Sequence, residues 1–126
     1  MAKYSLCSAI FLAIFLSNIH EYEAYVPPPA MVEPLYPAGL RISIPDEPGI
    51  HLVAFHVNIN EEFDGGLEAG HIAKDILRAR NGRWTYQDNH TQLRRGDTVH
   101  YWVHVQRDGL GYNRVHQQHR VTGFYN

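Results

Sequence analysis

The sequence holds a single cysteine, Cys7, and it lies within the first twenty residues. A chain processed beyond that segment has no thiol, which excludes disulfide staples and cysteine-based zinc sites and leaves packing as the source of stability. Basic clusters are also missing. Lys and Arg number 11 against 13 Asp and Glu. Non-specific phosphate binding needs a Lys/Arg cluster, so nucleic acid is not an expected partner. Neither a G-x-S-x-G elbow nor an H-E-x-x-H pair occurs. The acidic pairs sit in a glycine-rich segment, and so small a domain leaves little room for a walled glycosidase cleft. The reading is therefore of a non-enzyme with no catalytic residue and no cofactor.

The run Leu6–Leu16 is apolar and uncharged, and Lys3 precedes it. This is the pattern of a secretory signal peptide, expected over residues 1–20 with cleavage between Ser17 and Ala24. A bilayer span needs about 20 apolar residues, so no membrane span is expected. The protein is expected to be secreted and extracellular. Residues 21–126 remain, a length suited to one domain.

That remainder reads as short strands cut by turn residues. Tyr22–Ala30 carries Pro27-Pro28-Pro29 and is expected as an extended arm leading to an edge strand at Met31–Tyr36. Leu40, Ile42 and Ile44 alternate with Arg41 and Ser43, the mark of a half-buried strand. Ile50–Ile59 follows, with His51, Val53, Phe55, Val57 and Ile59 on its more apolar side. Asn60–Gly70 is expected as a loop. Its Glu61, Glu62, Asp64 and Glu68 lack the spacing of a calcium loop. His71–Arg80 is expected as a strand, turning at Asn81-Gly82 into Arg83–Tyr86. Thr98–Gln106 alternates most strongly, and Arg114–Tyr125 is expected to close the sheet. The pattern predicts an all-β antiparallel sandwich and does not choose between an immunoglobulin-like sandwich and another small barrel. The chain has nine histidines, but no metal site is expected, because Trp102 separates His100 from His104 along their shared face.

Trp84 and Tyr86 share one face of a strand, with rings spaced about 7 Å apart. Such a pair makes either a flat platform for the C–H faces of sugar rings or a piece of the core. Asp88 follows in step, and Asn89-His90-Thr91 is an N-glycosylation sequon.

The segments PPPAMVEPLYPAGLRISIPDEPGI (27–50), AFHVNINEEFDGGLEAGHIAKDI (54–76), NGRWTYQDN (81–89), RRGDTVHYWVHV (94–105), DGLGY (108–112) and VTGFY (121–125) together resemble the N-terminal glucan-binding domain of the insect β-1,3-glucan recognition proteins, also called Gram-negative bacteria-binding proteins. The resemblance implies an immunoglobulin-like antiparallel β-sandwich that binds β-1,3-glucan from fungal or microbial walls in innate immune pattern recognition. It implies carbohydrate contacts at Trp84, Tyr86 and Arg95, and at Asp46. Asp88 and Asn89 join that set on strand geometry, and Trp84, Tyr86 and Arg95 are expected to form one exposed patch. Family members often carry an aromatic residue where this chain has Ile72. The chain ends where the family's first domain ends, so it reads as a stand-alone binding module. A long polymer repeats one surface, so neighbouring modules are expected to associate on it, with Asp64, Glu68, Lys74, Arg107 and Asp108 as candidate contacts. The alternative is a protein-interaction domain on the same fold without glucan binding.

Overall fold

The computed structural model describes residues 25–65 and 67–126; the leader and its cleavage site lie outside them. Seven strands follow in order: β1 (Met31–Pro34), β2 (Leu40–Pro45), β3 (Ile50–Ile59), β4 (Ile72–Ile76), β5 (Arg83–Asp88), β6 (Thr98–Arg107) and β7 (Leu110–Arg120). They form two antiparallel sheets, ordered β1-β2-β5 and β4-β3-β6-β7. The expected all-β two-sheet architecture is present.

Alternation explains the layers. Leu40, Ile42 and Ile44 of β2 are fully buried, as are Val53, Phe55 and Val57 of β3 and Val99, Val103 and Val105 of β6. These inward rows meet between the sheets and make one core. Stacked sheets lie about 10 Å apart, so side chains from both fill the gap. His51 was expected among the inward residues of β3, yet it is exposed. The register between β3 and β6 shifts between Ile50 and Leu52, and the extra residue of such a bulge leaves the ladder.

The arm before β1 is extended and well anchored. Tyr25 meets the Tyr112 ring edge-on at 5.1 Å, with the Arg107 guanidinium 4.4 Å above its own ring. Pro27 behind it is buried.

Three expectations need correction. Residues 71–80 form a strand only over Ile72–Ile76. The Asn81-Gly82 turn does form, with φ of 53° and 74° and hydrogen bonds between Arg80 and Arg83. The strands it separates nevertheless pair in different sheets, β4 with β3 and β5 with β2. A tight turn fixes only its own four residues. Lastly, the closing strand starts earlier and stops earlier than expected. Asp108 and Gly109 take φ of 51° and 80°, the backbone of a two-residue hairpin. They join Arg107 directly to Leu110, and β7 runs from there to Arg120. Residues 121–126 then leave the sheet, and Tyr125 bridges Leu35 in parallel.

Candidate functional site

Strand β5 positions the expected aromatic pair, and it turns both rings inward. Trp84 is 4% exposed and Tyr86 9%. Trp84 pairs with Ile44 and Tyr86 with Ile42, both of which are wholly buried. Residues paired across a ladder share a face, so the rings belong to the core. The expected exposed patch containing Trp84 and Tyr86 is therefore corrected. The intervening Arg83, Thr85 and Gln87 form the polar, outward set. That alternation is legible in the sequence, and the pairing with β2 makes the aromatic row the inward one.

Each buried ring keeps its polar atom partnered. Trp84 Nε1 donates to Asp46 Oδ1 at 2.8 Å, and the Tyr86 hydroxyl donates to Asp88 Oδ2 at 2.6 Å. Burial raises the Tyr86 phenol, and the hydrogen bond to Asp88 adds to the effect. Asp88 also accepts from the Thr91 hydroxyl at 2.6 Å and from the backbone N–H groups of His90 and Thr91. Burial alone would push its carboxyl up. The hydrogen bonds from Thr91, Tyr86 and the backbone outweigh that and hold it at about 2. Asp88 thus caps the turn after β5, and Asp46 serves as the acceptor for Trp84. The two lie at opposite ends of the β2–β5 ladder, since Leu40 pairs with Asp88 and Pro45 with Arg83. Six residue steps separate them, about 20 Å of strand.

Arg95 and Asn89 behave differently; both are exposed. They lie at one end of the sandwich where residues 35–39, 89–97 and 121–126 converge. Tyr36 N–H donates to the Tyr125 carbonyl at 2.8 Å, and Tyr125 N–H to the Pro34 carbonyl at 2.8 Å. Gly39 N–H donates to Thr91, and Gly96 N–H to Val121. The Tyr36-Pro37 peptide is cis. Gly39, with φ of 126°, touches β5 so closely that a Cβ there would collide with the Asp88 carbonyl oxygen. This contact holds the Tyr36 turn against the Asp88 turn.

Side chains at this end are unusually bare. Tyr36 is 70% exposed, Tyr125 51% and Phe124 36%. Tyr36, Pro37, Leu93, Arg95, Phe124 and Asn126 line one shallow groove. A neighbouring groove adds Arg41, Gln87 and Asn89 around the same Tyr36, Pro37 and Asn126. Aromatic faces, two guanidinium groups and several amides therefore adjoin on an open surface. That is the donor set for a sugar: rings for C–H faces, and Arg and Asn for hydroxyls. Sequence reasoning missed Tyr36, Phe124 and Tyr125. A signal was present in Phe124-Tyr125, adjacent aromatic residues that cannot both face inward from an extended chain.

The middle of the larger sheet's outward face, around Trp102, is covered. His56 and Trp102 stack with centroids 3.9 Å apart and planes within 5°. Trp102 Nε1 donates to the Glu68 carbonyl at 2.8 Å, and His71 N–H donates to Asn58 Oδ1 at 2.8 Å. These bonds lay the acidic loop over the sheet, and Trp102 is 6% exposed. A wider groove of about 680 Å³ is lined by Arg78, Arg80, Arg83 and Gln87 among others, but by no aromatic ring. Among the described residues, no three His, Cys, Asp or Glu side chains are placed to hold a metal ion.

A family model described as "Carbohydrate binding domain (family 32)", with the short name CBM39, matches residues 23–126. The chain is 44% identical over 117 residues to Beta-1,3-glucan-binding protein 1 of Manduca sexta, covering 93% of this chain and 23% of that protein. It is 48% identical over 113 residues to Gram-negative bacteria-binding protein 3 of Drosophila melanogaster, covering 90% and 22%. The chain thus spans less than a quarter of the length of these relatives. A solved structure titled "Crystal structure of Br derivative BhCBM56" superposes with a TM-score of 0.56 at 15% identity, over 79% of this chain and 97% of the other. It supports the fold alone. The molecule is a non-catalytic carbohydrate-binding domain on a two-sheet antiparallel β fold. It belongs to the CBM39 family, and its sequence is similar to the insect β-1,3-glucan-binding and Gram-negative bacteria-binding proteins.

Proposed function

We propose that this domain is a secreted β-1,3-glucan-binding module of innate immune pattern recognition, and that it engages the polysaccharide through the Tyr36–Arg95–Phe124 end. The observation that carries the site is the exposure of Tyr36 and Phe124 beside Arg95 and Asn126. The names of the relatives, glucan-binding proteins among them, supply the ligand class. Arg95 keeps the contact role implied by the resemblance, because its planar fork can donate to two hydroxyls at once. Trp84, Tyr86, Asp46 and Asp88 act from beneath, by fixing β5 and its turns.

The finer fold reading is immunoglobulin-like. A constant-type immunoglobulin domain has four strands in one sheet and three in the other, with its fourth strand beside the fifth. Here β4 pairs with β3 instead, which is the same seven-strand plan with one edge strand moved across.

Self-association on the polymer remains part of the reading. Asp64, Glu68, Lys74 and Asp108 are exposed. Arg107 is engaged within the molecule, donating to the Pro48 carbonyl at 2.9 Å. The deciding experiment is a pulldown on insoluble curdlan with cellulose as control. Retention on curdlan alone is expected. A folded domain that stays in solution with both polymers would leave a protein-interaction role in its place.

A further inference from the structure

Asn89 belongs to the sequon Asn89-His90-Thr91 and sits where β5 has just ended. Two properties of the position matter for modification. Its side chain is exposed. It lines a surface groove together with Gln87, the last outward residue of β5, apart from the core that holds Trp84 and Tyr86. The polar groups around it are satisfied without it. Asp88 takes the N–H groups of His90 and Thr91 and the Thr91 hydroxyl. That turn keeps Asn89 at its apex and asks nothing of its amide.

We propose that Asn89 is an N-glycosylation site in the mature protein. The transfer joins the Asn89 amide nitrogen to the first sugar of a lipid-linked oligosaccharide. The lipid pyrophosphate is the leaving group, and the amide proton departs with it. An acceptor on an open turn lets the folded domain carry the oligosaccharide without burying it or disturbing a hydrogen bond. Asn89 lines the groove shared with Tyr36, Pro37, Arg41, Gln87 and Asn126. The attached oligosaccharide therefore stands at the rim of that groove and narrows access to it. This second element rests on the glucan reading above.

Secretion from insect cells, followed by intact mass measurement and peptide mapping, tests the site. The full chain is expected to carry hexose-rich mass on the peptide containing Asn89. Peptide N-glycosidase in heavy-oxygen water should remove that mass and leave a labelled aspartate at position 89. Asn89→Gln should abolish the mass while the protein stays folded, and Thr91→Ser should retain it. Secreted protein bearing an unmodified Asn89 would overturn the proposal. Curdlan retention of the secreted protein and of the same chain produced without glycosylation in bacteria, which keeps Asn89 as asparagine, reads the narrowing separately, with a several-fold gain expected for the unglycosylated form. Equal retention overturns the narrowing while the occupied site stands. Retention of neither form overturns the narrowing and the glucan reading together, and the mass result is unaffected.

Discussion

Two sets of aromatic side chains in this molecule have opposite fates. Trp84 and Tyr86 lie two apart on a regular strand and are buried, with both polar atoms bonded to carboxylates. Tyr36, Phe124 and Tyr125 lie on turns and a tail, and stand open to solvent. Regular spacing marks the structural set, because a strand must bury one face and the most apolar row goes there. Irregular placement marks the set available for a ligand, because side chains on loops are not claimed by the core.

The comparison can be broken most directly at Trp84. Trp84→Ala leaves a cavity in the core and removes the donor to Asp46. A loss of about 3–5 kcal/mol is expected in urea unfolding. Loss of curdlan binding without loss of stability would mean that the ring faces a ligand instead. Next comes the open set. Tyr36→Ala combined with Arg95→Ala should weaken curdlan retention by about a hundredfold, equivalent to roughly 2.7 kcal/mol. Because both side chains are exposed, the unfolding midpoint should move by no more than about 0.5 kcal/mol equivalent. Wild-type retention by this folded variant would place the sugar elsewhere on the sandwich.

Acid titration sharpens the contrast at the turn between the two sets. The Asp88 carboxyl is held at about 2 in the fold against an ordinary value of 3.8. A depressed acid stabilises the fold above its unfolded pKa and loses that contribution as pH falls through the folded one. Stability is therefore expected to drop between about pH 4 and pH 2, by about 1–2 kcal/mol after solvent screening is allowed for. Asp88→Asn should flatten that part of the stability–pH curve. An unchanged curve would show that the turn does not depend on the charge. The smallest effect is expected on the outward face of the same sheet, where Arg41 grips Glu33 through two hydrogen bonds of 3.0 and 2.8 Å. Arg41→Ala should cost about 0–1 kcal/mol, because such pairs are screened by water. A thermal melt showing a larger loss would assign this pair a role in packing.

The legibility of the fold followed the same division. Strands β2, β3 and β6 were readable from alternation, since Leu40, Ile42 and Ile44, or Val99, Tyr101, Val103 and Val105, repeat with the strand period. The end of β7 was not. Val121 is buried like a strand residue, but its N–H bonds the Asp97 carbonyl and its carbonyl accepts from Gly96. It packs from outside the ladder, which no local pattern reveals. The candidate site was half readable. Arg95 and Asn89 were named from sequence, and they line neighbouring grooves that share Tyr36, Pro37 and Asn126. Their companions Tyr36 and Phe124 come from segments more than fifty and nearly thirty residues distant.

The sequence by itself determined the strand period, the turn residues and the family resemblance, because each is written in neighbouring residues. It also determined that Trp84 and Tyr86 share a face. Only the tertiary structure decided that this face is the core. That depends on which strand lies beside β5, and the partner, β2, is separated from it by the whole of β3 and β4. Only the tertiary structure, likewise, brought residues 35–39, 89–97 and 121–126 to one end. Their meeting is set by long-range hydrogen bonds such as Tyr36 to Tyr125 and Gly39 to Thr91, which no periodicity along the chain encodes.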